Sequence, residues 1–168
     1  MAFAGIALAL TVILIVLSGI LEINTLFLLA AASFFVGVII RELGAVFGVA
    51  FYIAAILLGV ILAPNKLYCI TFAALGLYIL FAELSWMYLN KSDKPHKIRT
   101  HWIIKYVLFN ILYIPILLFF PKLLFAGEIH RAFIIAALVL GQAALFVYDK
   151  AYNYFQIYVW TKWRKFVI

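Results

Sequence analysis

The sequence predicts an all-α fold, a polytopic membrane helical bundle of about six transmembrane helices with the N-terminus and the C-terminus both on the cytoplasmic side. Three observations carry that expectation. Of the 168 residues, 70% are hydrophobic and only 11% charged, whereas soluble domains are about half apolar and about a quarter charged. Six runs approach the roughly 20 mostly apolar residues that a helical span needs. The basic residues divide ten to three between the two sides that six spans define, the bias that marks a cytoplasmic face.

The whole chain, 1–168, reads as one integral membrane domain with spans at residues 3–21, 24–40, 44–62, 67–89, 102–120 and 130–160. The first run lacks a basic leader and a cleavage motif, so it reads as a retained span rather than a signal peptide. The second is short and is the span whose full crossing is most in question. Pro64, Pro95 and Pro121 fall at span ends, where a missing N–H is tolerated, whereas Pro115 falls inside the fifth span and is expected to kink it. The stretch NKSDKPHKIRTH, Asn90 to His101, is polar except for Ile98 and has to lie outside hydrocarbon. The last span runs into a tail rich in Tyr, Trp, Lys and Arg, residue types that collect at the headgroup level.

Orientation follows from charge. Arg41, Lys91, Lys94, Lys97, Arg99, Lys105, Lys150, Lys162, Arg164 and Lys165 share one side, and Lys66, Lys122 and Arg131 the other. The net charge of +7 is therefore read as cytoplasmic loop charge beside anionic lipid. No nucleic-acid partner is expected. The single cysteine, Cys69, excludes an internal disulfide and reads as a packed thiol.

Charges inside spans are costly and mark functional or paired sites. Glu83 on the fourth span and Lys105 at similar depth on the antiparallel fifth are expected to form an intramembrane ion pair. Asn110 and Gln142, near mid-depth, are placed to hydrogen-bond across helices. Arg41 and Glu42 read as residues that orient helix ends. On the outer side, Glu22, Lys66, Tyr68, Glu128, His130 and Arg131 form the candidate ligand-binding cluster if their loops converge. No metal site, cofactor or catalytic motif is recognisable: HExxH, GxSxG and glycine-rich phosphate loops are all missing from the sequence. The chain does not read as an enzyme, and an intramembrane enzyme is the lowest-ranked reading.

Small residues at four-residue spacing let helices approach closely in lipid. Gly5 and Ala9, with Ala2 beside them, form such a face on the first span and are the candidate docking face for another membrane subunit. That face and the stretch FVGVIIRELGAVFGVAFYIAAILLGVIL, residues 35–62, carry a resemblance to a known family. In size, span count and topology the chain resembles the substrate-binding S components of energy-coupling-factor transporters, or a pocket-poor relative, since the first external loop is only about five residues here. The resemblance implies a prokaryotic cytoplasmic membrane, a small-molecule ligand held near the outer face and docking of the first helix on a partner membrane protein. The expected function is thus a small transporter-type subunit. The alternative is a structural or assembly subunit of a membrane complex without a ligand.

Overall fold

The computed structural model describes residues 2–21, 24–91, 96–119 and 131–167. Among them there is no strand. Six long helices follow in order: α1 (Ala2–Ile20), α2 (Thr25–Leu43), α3 (Ala45–Leu62), α4 (Lys66–Asn90), α5 (Lys97–Phe119) and α6 (Arg131–Tyr154). The last continues through a π-helical stretch (Phe155–Trp160) into α7 (Thr161–Val167). The first four are long and apolar enough to cross a membrane. The chain is an all-helical membrane bundle.

Helix bounds outrun the apolar runs at the end of α2 and the start of α5. α2 continues past Ile40 through Arg41, Glu42 and Leu43, because both charges are satisfied inside the protein. α5 begins at Lys97 rather than near Trp102. An apolar run marks only the part that hydrocarbon can hold, and a helix extends beyond it at the headgroup level. α5 remains helical through Pro115.

α2 is the central helix, packed on α1, α3 and α4 and touched by the π stretch. Its apolar turns, including Leu29, Ala32, Val36, Ile39 and Ile40, are buried. The other helices each present one stripe at helical spacing. On α1 it is Ala7, Thr11, Ile15 and Ser18; on α4 it is Phe72, Gly76, Ile79 and Glu83. The hydroxyls of Thr11 and Ser18 bond back to the carbonyls of Ala7 and Ile15, so these polar residues cost little at depth. Cys69 is buried in this α1–α4 core, as its reading as a packed thiol requires.

α6 joins α2 and α4 differently, through large side chains. Phe34 packs against Tyr148, Tyr152 and Phe155, with ring centres 5.4–5.5 Å apart. Tyr148 lies 2.7 Å from Ser33 Oγ, oxygen to oxygen, and donates to the Leu75 carbonyl at 3.3 Å. The aromatic run that the sequence assigns to the headgroup level is therefore split. Tyr154, Tyr158 and Trp163 are exposed, while Tyr152 and Trp160 turn inward.

Two glycines make the arrangement feasible. Gly44, at φ 94°, lies in the left-handed region that the tight α2–α3 turn needs. Gly37 faces the Tyr152 ring so closely that any Cβ would collide with the hydroxyl.

Candidate functional site

Polar side chains gather at the end of the bundle where α2, α4 and α6 finish and α5 begins. The α2 phase that buries Ile40 carries Arg41 toward α4. Its Nε donates to Glu83 Oε2 at 2.9 Å and its Nη2 to Oε1, a two-pronged pair. Tyr152 on α6 donates its hydroxyl to the same Oε1 at 2.6 Å. Its ring lies 5.4 Å beneath the Arg41 guanidinium. Glu83, only 5% exposed, is thereby held from two helices. Burial without such partners would expel it or protonate it.

A second pair lies beside the first. Lys105 Nζ on α5 donates to Asp149 Oδ1 on α6 at 2.7 Å, with the two residues 6% and 1% exposed. Tyr78 on α4 donates to the same oxygen at 3.2 Å, and Asn153 Nδ2 to Oδ2 at 3.0 Å. Lys105 also lies 5.5 Å over the Trp102 ring. Two ion pairs thus tie four helices together at one level.

Between them is a cavity of about 290 Å³, floored by Arg41, Glu83, Lys105, Asp149 and Asn153 and walled by Trp86, Ile98, His101 and Trp102. That volume is at the lower edge of the range for small-ligand sites. The charged floor sums to zero. Ser85 Oγ lies 3.1 Å from Nδ1 of the wall residue His101, and the Ser85 hydroxyl is 2.8 Å from the Ala82 carbonyl, to which it donates when the ring presents Nδ1–H. Among the described residues no set of His, Cys, Asp and Glu side chains gathers as a metal centre would require.

The expected Glu83–Lys105 pair is replaced by two pairs, Glu83 with Arg41 and Lys105 with Asp149. Both residues line the same cavity, so depth is right and partners are not. The sequence assigns Arg41 to orienting its helix end and marks no partner role for Asp149. Yet Gly141, Leu145, Asp149, Tyr152 and Gln156 recur at helical spacing, and all are buried. That face was the signal. Asn110 and Gln142 do meet, Gln142 Nε2 donating to Asn110 Oδ1 at 2.8 Å.

Of the outer-end candidates, Glu22, Glu128 and His130 lie outside the described residues, as does the side chain of Arg131. Lys66 is exposed, and Tyr68 packs against the α1–α4 core. Neither lines the cavity, which lies among the opposite ends of the helices. Gly5 and Ala9 lie on the exposed face of α1, and a Cβ added at Gly5 meets no atom within 4 Å.

Comparison with protein-family models, curated proteins and solved structures finds no match to this chain.

Proposed function

We propose that the chain is a multi-pass membrane subunit of the transporter type, crossing six times with both ends cytoplasmic. Its working site is the charged cavity between α2, α4, α5 and α6. The positive-inside bias puts that cavity at the cytoplasmic end, not the outer face where the sequence alone suggests a ligand. The observation that carries the reading is the cavity itself, an open space at helix depth with four charges on its floor. A bundle built only for packing has no reason to keep charges around a void, since intramembrane charges are costly. The exposed Gly5/Ala9 face of α1 is the part left for a partner subunit.

Native mass spectrometry of the full chain in mild detergent tests this. A retained small ligand that is lost in Ile98→Trp, which plugs the cavity mouth, supports a binding subunit. The structural or assembly reading rests on a different observation, that all four floor charges are already paired. It is supported if the wild-type chain carries no ligand but retains a protein partner.

A further inference from the structure

We propose that the cavity takes a zwitterion, an ammonium joined to a phosphate, presented as the headgroup of a phospholipid. This rests on the reading of the cavity as a ligand site.

Charge sets the class. The floor holds two cations, Arg41 and Lys105, and two carboxylates, Glu83 and Asp149. A simple anion would approach two carboxylates, and a simple cation would approach Arg41 and Lys105. A ligand carrying both charges meets an opposite partner for each.

The floor groups also keep bonding capacity to spare. Arg41 uses Nε and Nη2 on Glu83, which leaves Nη1. Lys105 places one of its three N–H bonds on Asp149. Among the described residues, Glu83 Oε2 and Asp149 Oδ2 each accept a single side-chain bond, from Arg41 and Asn153. A phosphate can therefore bind between the cations, and an ammonium between the carboxylates, without either ion pair opening. The Trp86 ring in the wall adds an aromatic face on which an ammonium is further stabilised.

The mouth sets the source. Its rim is apolar: Ile98 is 69% exposed and Trp102 39%, with Trp102 stacked on the half-exposed Phe146 of α6. Arg99 and Lys150, next in sequence to the lining residues Ile98 and Asp149, are exposed. Tryptophan beside basic residues is the signature of the headgroup level. A charged floor behind an apolar rim suits an amphiphile, whose headgroup enters while its chains stay in lipid. A fully hydrated solute gains nothing from such a rim.

The test uses the full chain in detergent with three probes: phosphatidylethanolamine, phosphatidylglycerol and soluble phosphoethanolamine. Thermal unfolding and adduct retention by native mass spectrometry are the readouts, each repeated on Ile98→Trp. Phosphatidylethanolamine is expected to raise the wild-type Tm by several degrees and to be retained about tenfold more than phosphatidylglycerol. Ile98→Trp should abolish that preference with an unchanged lipid-free Tm. Equal effects of the two lipids, both lost in Ile98→Trp, overturn the zwitterion and leave the cavity as a site. Soluble phosphoethanolamine acting as well as the lipid overturns the phospholipid source. Lipid effects that Ile98→Trp leaves unaltered overturn the reading of the cavity as a site.

Discussion

The Tyr152 hydroxyl reaches Glu83 Oε1 at 2.6 Å only because position 37, on the helix it passes, has no side chain. One glycine on α2 thus lets α6 help to hold a carboxylate on α4. The consequence is directly measurable. Gly37→Ala is expected to destabilise the protein in detergent by about 1–3 kcal/mol, the usual cost of overpacking. Tyr152→Phe should cost about 1–2 kcal/mol for the hydrogen bond lost by a buried carboxylate. Because removing the hydroxyl relieves the tightest part of the clash, with ring carbons still within 3.0 Å, the double variant should lose less than the sum. Strict additivity in thermal unfolding would contradict the geometry.

The two ion pairs make a second expectation. Removing one partner of a buried pair leaves an uncompensated charge and costs about 3–5 kcal/mol. Lys105→Met and Asp149→Asn should each approach that loss, and the double variant should recover much of it. Arg41→Met with Glu83→Gln should behave alike, with smaller effects because the Arg41 side chain is 38% exposed. The cross-combination, Glu83→Gln with Lys105→Met, should show the weakest coupling. Strong coupling there would restore the pairing expected from depth alone.

Much of this site was out of reach in the sequence, for a physical reason. Hydrocarbon demands long apolar runs, so six helices can be read from composition and length alone. The Asn110–Gln142 bond was also legible, because two amides at matching depth on adjacent helices have few other partners in lipid. Ion-pair partners were not, since depth is read from sequence and rotation about the helix axis is not. Asp149 was further masked by its neighbours. It sits among Tyr148, Lys150 and Tyr152, a composition that resembles an interfacial tail, although its helical phase with Leu145 and Tyr152 puts it inside.

Gln156 provides a third test. It is 3% exposed, lies in the π-helical stretch, and neither its amide nitrogen nor its amide oxygen has a hydrogen-bond partner among the described residues. A buried polar group without a partner is a net cost, which an apolar residue of similar shape removes. Gln156→Met is expected to raise stability by about 1 kcal/mol, read as a higher Tm in detergent. A lower Tm would mean that the amide has a partner in the folded protein.

The exposed face of α1 gives a fourth. Gly5 and Ala9 are exposed, and a Cβ added at Gly5 meets no atom within 4 Å among the described residues. Gly5→Leu with Ala9→Leu should therefore leave the Tm of the isolated chain within about 1 °C, a surface-type effect. If α1 docks a partner, the same variant should lose that partner on copurification, because close backbone approach depends on small residues. A marked fall in Tm would return these residues to the interior.

On the proposed orientation, the charged cavity lies at the cytoplasmic end of the bundle and is open there. The most direct test is thiol labelling of Ile98→Cys, at the exposed rim, in a Cys69→Ala background so that the introduced thiol is unique. A membrane-impermeant maleimide should label it in inverted vesicles and leave it unmodified in right-side-out vesicles. His101→Cys, in the cavity wall and outside both ion pairs, should follow the same sidedness at a slower rate. Labelling of Ile98→Cys from the outer side alone would contradict both the orientation and the assignment of the site.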